Sequence, residues 1–355
     1  MKHRAWLASG LAFAFLGLTG CSHKKNPPLP LPGAGSLFVY PVMQRWTMDY
    51  TQIFKDVNVT YQPIGDQKAL ALLAEGKVDF AAIDTPLPMS ELTAKKLLEL
   101  SETAGPVCII YNFPDAQRTD DDHPLRLSAQ TLAAILTGKI TQWNDPAIVK
   151  ENPGLTLPDH AIELYHRSDP SSSTDLLSQY LAAAAPDWKS AMGTGTLLKW
   201  TTGTGSSGSE GVAASVRNTP YSLGYVELTY AQESYLPMAS LENAAGYYIQ
   251  PSEASATATL DAFRAELSRD VATRVVNPSA SAPKAYPIVG VNYLILQQDR
   301  PDPTLQRHLR KFAEYVLHNG QDTAYELHYA RLTPAMVRND EHQLTTLTSN
   351  GKPVL

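Results

Sequence analysis

Cysteine is nearly absent: the 355 residues contain two, Cys21 and Cys108. A chain of this length with so few is not a disulfide-stapled scaffold, and no zinc set built on paired cysteines can be assembled. Charge is also sparse, at 18% of residues, and leans acidic, with a formal net charge of -6. That balance argues against nucleic acid and against an anionic membrane surface as partners. It leaves room for an anion pocket, because a pocket is set by its local donors. No apolar run reaches the ~20 residues of a membrane span. There is no G-x-S-x-G elbow and no H-E-x-x-H pair, and the nine histidines are scattered. No metal, no cofactor and no catalysis are therefore expected, since nothing pairs a nucleophile with a base. What is abundant is apolar side chain, 43% of the chain, enough for two globular domains of ordinary size.

The N-terminus carries a processing signal. Lys2, His3 and Arg4 precede the apolar run 5–16, and Leu18-Thr-Gly-Cys21 follows. This ending resembles the lipobox of bacterial lipoproteins, which implies a signal peptide over residues 1–20 and lipid on Cys21; an ordinary secretory signal or a signal anchor is the alternative. Residues 21–32 are then a lipidated Cys and a tether stiffened by Pro27, Pro28, Pro30 and Pro32. With Cys21 lipidated no internal disulfide can form. Cys108, inside the apolar run 107–111, reads as a small buried hydrophobe.

Beyond the tether the pattern alternates. Val42, Trp46, Tyr50 and Ile53 share a helix face after Pro41. Val57, Val59 and Tyr61 read as a strand, Leu70, Leu72 and Leu73 as a helix ending near Gly76, and 78–83 as a buried strand with Asp84 at its end. Residues 90–100 read as helix, 107–112 as strand, 286–297 as a long apolar segment and 302–320 as a helix. The tail, 338–355, is polar and is expected to be loosely held. Strands alternating with helices argue for a parallel α/β sheet. In such sheets ligands bind beyond the carboxyl ends of the strands.

One stretch stands out. A strand at 162–165 leads to Arg167, Asp169-Pro170 turns the chain, and Ser171, Ser172, Ser173 and Thr174 open a helix. The first helical turn presents unpaired N–H groups and partial positive charge. Arg167 adds a fork shaped for an oxyanion. Read alone, the same residues also fit a plain N-cap beside a surface ion pair. Gly203-Thr-Gly205-Ser-Ser-Gly208 spells G-x-G-x-x-G, but 199–202 is a poor strand to precede it, so dinucleotide binding is not expected.

Several segments together resemble the periplasmic phosphate-binding proteins of high-affinity ABC phosphate uptake. They are Gly33-Ala-Gly35, 78–87, 136–148, 152–155, Arg167-Ser-Asp169, Trp188 with 193–195, Lys199-Trp200, 210–214 and 224–227. The resemblance runs in one order over residues 33–335. It implies a type II periplasmic-binding-protein fold: α/β, two lobes with a central cleft, and hinge strands crossing near Gly105 and 286–290. Lobe I would comprise 33–105 plus 290–355, and lobe II 106–289.

The resemblance also implies a ligand set. Asp84 would accept a hydrogen bond from the anion's own proton, Arg167 would carry the charge, and Asp169 would orient it. Ser171, Ser172 and Ser173 would donate, with Pro170 in place of a glycine. Leu37 and Phe38 begin the other half, where Leu37 replaces a threonine and leaves a backbone N–H. Asp66 replaces a donating serine. Its carboxylate is expected to cap the helix from Gln67; facing an anion at ~4 Å it would repel a unit charge by roughly 4 kcal/mol at an effective dielectric of 20. The expected protein is a monomeric, lipid-anchored solute-binding protein that hands phosphate or a related oxyanion to ABC importer membrane subunits. The alternative is a relative that has lost phosphate, because of Leu37 and Asp66, and binds another ligand or acts at a surface.

Overall fold

The computed structural model describes residues 27–114, 123–267, 269 and 273–354. The signal segment and Cys21 lie outside these residues. The chain opens with β1 (Leu29–Gly35), α1 (Tyr40–Ile53), β2 (Val57–Pro63), α2 (Asp66–Ala74) and β3 (Phe80–Ile83). β1 pairs parallel with both β2 and β3.

Residues 29–32, expected in the tether, belong to β1. Backbone groups alternate sides along a strand, and Leu29 N–H reaches back towards β2 by bonding Asp56 O, while Pro32 O accepts from Asp79 N–H on the β3 side. Pro30 and Pro32 therefore lack their N–H groups on the side where β3 pairing begins only at Gly33, so no ladder bond is lost. α1 buries Val42, Met43, Trp46, Thr47 and Tyr50. Ile53, expected on that face, is its last residue and is exposed.

α3 (Met89–Lys95) is shorter than expected. Lys96 takes a left-handed conformation (φ 51°) that ends it. Residues from 97 onward, read in part as helix, instead form β4 (Leu97–Asn112), sixteen residues long. Then follow β5 (Arg126–Leu127), α4 (Ala129–Leu136), α5 (Pro146–Glu151), β6 (Glu163–Arg167), α6 (Ser172–Ala184), α7 (Trp188–Ala191), β7 (Thr204–Ser206), α8 (Gly208–Asn218), β8 (Ser222–Glu227) and α9 (Leu228–Glu233). The chain continues through β9 (Ser240–Glu242), β10 (Tyr248–Ile249), α10 (Glu253–Ala262), α11 (Arg264–Leu267), β11 (Val289–Gln297), α12 (Pro303–Leu317), α13 (Asn319–Glu326) and α14 (Pro334–Leu344). A hairpin, β12 (Thr348–Ser349) and β13 (Lys352–Pro353), closes it.

The main sheet runs β2-β1-β3-β11-β4-β8-β6-β7. β4 pairs antiparallel with β11 over its first part and with β8 from Val107 to Asn112. One strand thus joins the β1–β3 region to the β6–β8 region. A large core surrounds the central strands, and Cys108, Ile110, Val212, Val216 and Val226 form a second cluster under α8 and α9. Cys108 is buried and free. The polar tail is not loose. α14 buries Met336 and Leu344, the hairpin region buries Leu347 and Val354, and the buried Asp340 carboxylate accepts from Ser101 N–H at 3.0 Å. A few well-placed apolar residues and one backbone bond dock a segment whose average composition is polar.

Candidate functional site

A cavity of about 620 Å3 opens where β1, β3 and β6 end. Leu37, Phe38, Asp66 and Asp84 line it from the β1–β3 side, and Arg167, Asp169, Ser171 and Ser172 from the β6–α6 side. Ser173 is buried just behind.

Arg167 ends β6 and is 3% exposed. Its Nε and Nη2 donate to the two Asp169 carboxylate oxygens at 2.9 and 2.6 Å, and Nη1 donates to Ser209 Oγ at 2.9 Å. Asp169 also accepts from Gly208 N–H at 3.0 Å. Burial would raise the Asp169 carboxyl, but the Arg167 fork and this amide outweigh it and hold it below the usual carboxylate range. A charge fixed on two sides keeps its remaining N–H groups aimed.

Ser171 is the N-cap of α6, its Oγ accepting from Thr174 N–H. The N–H groups of Ser172 and Ser173, at the first two helical positions, have no partner within the helix. The hydroxyls of these residues are already engaged: Ser172 Oγ donates to Asp84 Oδ2 at 2.6 Å, and Ser173 Oγ donates to Glu227. The donors left open on this side are therefore the remaining Arg167 N–H groups, the helix amides and the Ser171 hydroxyl hydrogen, rather than three free hydroxyls.

On the facing side Asp66 is the first residue of α2, after Gly65. It does not cap that helix. Its Oδ2 accepts instead from the N–H groups of Asp84 and Thr85, at 2.9 and 3.3 Å, because the end of β3 arrives beside it. Burial raises its pKa, with those amides opposing. Asp84 is pushed up to about 8, first by burial and then by the charge of Asp66. Hydrogen bonds from Ser172, Ser36 and Asn292 work against this. Phe38 N–H is taken by Ser36 Oγ at 2.8 Å, so it is not a ligand donor. Tyr230 and Tyr329 clamp the Leu37 and Phe38 carbonyls at 3.1 and 2.7 Å.

His166 stacks on Trp200, with ring centroids 4.6 Å apart, and its Nδ1 meets the Arg167 carbonyl. Its role is to pack behind Arg167. Ser36, Ser209, Glu227, Asn292 and Glu102 were not legible as site residues. Asn292 carried a faint signal, one amide inside an apolar run. Among the described residues no group of three or more His, Cys, Asp or Glu is arranged to hold a metal, and no helix is long and apolar enough to cross a membrane.

Residues 24–319 match the family model described as the PBP superfamily domain. The phosphate-binding protein PstS of Xylella fastidiosa (strain 9a5c) is 36% identical over 320 residues, covering 90% of this chain and 86% of that protein. This chain belongs to the PstS family of phosphate-binding proteins. Two solved structures share the fold. The phosphate-binding protein of Stenotrophomonas maltophilia has a TM-score of 0.63 at 19% identity, covering 91% of this chain and 96% of its own. An ABC-type phosphate transport receptor from Vibrio cholerae has a TM-score of 0.56 at 15% identity, covering 85% and 100%. The PstS-family fold here is α/β, of the type II periplasmic-binding-protein class.

Proposed function

We propose that this PstS-family protein captures inorganic phosphate, or a closely related oxyanion, in the cleft between Arg167 and Asp84 and passes it to the membrane subunits of an ABC importer. The observation that carries this reading is the buried Arg167 fork, held by Asp169 and Ser209 beside the open first turn of α6. Together they concentrate charge-assisted donors on one wall of a cavity. Leu37 offers a backbone N–H from the opposite wall, and no acceptor among the described residues takes it. The relatives are named as binding proteins, which supports capture without turnover.

Lobe I, residues 33–105 with 290–355, and lobe II, residues 106–289, would close on the ligand about β4 and β11. Residues 1–20 would be removed as a signal peptide, and lipid on Cys21 would hold the monomeric protein at a bacterial membrane facing the periplasm or cell surface. Equilibrium dialysis of radiolabelled phosphate against the folded protein tests the reading: saturable retention supports it, and none contradicts it.

An acidic residue, Asp66, in the cavity lining favours a second reading, a family member that has exchanged phosphate for another ligand. Phosphate retention that appears only in Asp66→Ser would support that reading over the first.

A further inference from the structure

The two walls of the cleft differ in kind. The Arg167 wall is rich in donors. Three of the five guanidinium N–H groups are bonded to Asp169 and Ser209, which leaves two. The Ser172 and Ser173 amides and the Ser171 hydroxyl add to them.

The facing wall is mostly hydrocarbon. Gly35 pairs with Pro63 on β2 and with Ala82 on β3, so three strands leave the sheet side by side. Leu37 follows β1, Ile64 follows β2 and Leu87 follows β3, while Leu70 lies on α2; all four line the cavity. Leu37, Ile64 and Leu70 are half-buried, so part of each side chain is left to the cavity. The amides of these strand ends are spent inside the wall. Ile64 and Gly65 N–H donate to the Gly35 carbonyl, and Ser36 N–H to the Ala82 carbonyl. Phe38 N–H donates to Ser36 Oγ, Asp84 and Thr85 N–H to Asp66, and Leu87 N–H to Glu99. The Leu37 N–H is left over. α2 adds the open amides of Gln67 and Lys68, two residues whose side chains are exposed and whose amides water can serve.

Closure of the lobes would press this wall onto the face of the anion turned away from Arg167. In inorganic phosphate that face carries an oxygen, which hydrocarbon cannot satisfy. A phosphonate carries carbon there. Its PO3 group keeps one oxygen, with its proton, for the Asp84 acceptor and two for the Arg167 wall, and its stem requires no donor. A phosphate ester would instead set a bridging oxygen against the apolar side chains. The cavity, at about 620 Å3, has room for such a stem.

Resting on the reading of this cleft as an anion site, we propose that it also takes alkylphosphonates, the PO3 group on Arg167 and the start of α6 and the stem against Leu37, Ile64, Leu70 and Leu87. Titration calorimetry at low ionic strength tests this on the wild type and Leu70→Ser, with phosphate and with methyl-, ethyl-, propyl- and butylphosphonate. Wild-type affinity is expected to rise by about two- to fourfold per added methylene as apolar area leaves water. Excess phosphate is expected to displace every phosphonate, and Leu70→Ser to flatten the rise. Propyl phosphate, equal in length to butylphosphonate but with the bridging oxygen, is expected to bind more weakly than butylphosphonate. A wild type that binds phosphate but no phosphonate overturns the proposal and leaves the anion reading standing. So does an affinity that stays flat or falls with stem length, or a phosphonate that phosphate does not displace. An undiminished rise in folded Leu70→Ser, or tighter binding of propyl phosphate than of butylphosphonate, also overturns it. A wild type that binds none of these ligands overturns the anion reading itself. If Leu70→Ser fails to fold, the wild-type series and the displacement decide alone.

Discussion

Arg167 and Asp66 hold the balance of the cleft. Arg167 is buried and bonded on three of its donors, so replacing its fork with the point charge of lysine breaks the Asp169 geometry as well as the ligand contact. Arg167→Lys is expected to weaken phosphate binding by at least about thirtyfold, equivalent to ~2 kcal/mol. A loss of less than about threefold would mean that the anion sits elsewhere. Asp66 acts in the opposite sense. It lines the cavity, its carboxylate held on the Asp84 and Thr85 amides, and its charge raises Asp84, so Asp66→Ser should tighten phosphate binding by about tenfold or more near pH 8. Direct titration of both proteins gives the comparison. The residues on the Arg167 side were legible in the sequence because strand, turn and helix start lie within one short stretch. On the other side Leu37, Phe38, Asp66 and Asp84 were named as well, and all four line the cavity, but the direction of the Asp66 carboxylate was not legible. Where the Asp66 carboxylate points depends on β3 arriving beside α2, a long-range contact that no local pattern reports.

At the scale of elements, the β–α–β opening was legible from its alternation, and three misreadings share a cause. Leu97-Leu-Glu-Leu100 looks amphipathic, yet Glu99 and Glu102 are buried in a strand. Pro30 and Pro32 look like tether, yet their missing N–H groups fall where no partner strand runs. The tail looks polar, yet it docks through a handful of apolar side chains and Asp340. In each case tertiary pairing overrides local composition. Two predictions follow from these elements. A Cβ on Gly35 would lie 1.9 Å from the Ala82 carbonyl, which accepts from Ser36 N–H. Gly35→Ala should therefore cost more than about 2 kcal/mol of stability, read by chemical denaturation, and disturb Ser36 against Asp84. Asp340 is raised to about 8, chiefly by burial. Its neutral form is favoured in the fold, so its contribution is full below the unfolded carboxyl range and is lost as pH rises towards 8. Each unit of that interval is worth at most about 1.4 kcal/mol. Thermal melts should show wild-type stability falling from about pH 5 to about pH 8, and Asp340→Asn flattening part of that slope. An identical slope in the variant would remove Asp340 from the account.

For the whole molecule, β4 is the strand that matters. It pairs with β11 and then with β8, so the two walls of the cleft are carried by one continuous backbone. Gly105 and Gly290 face each other on β4 and β11, each close to the Phe38 ring. This is where a hinge motion would be absorbed, and small-angle scattering should show a smaller radius of gyration with phosphate than without. The central claim is that this cleft binds an anion through Arg167 and the start of α6. Titration calorimetry of the folded chain with inorganic phosphate at low ionic strength tests it most directly. The account predicts saturable one-to-one binding by the wild type and its loss in Arg167→Ala; a folded wild type that takes up no phosphate, or an Arg167→Ala protein that binds it equally well, would contradict it.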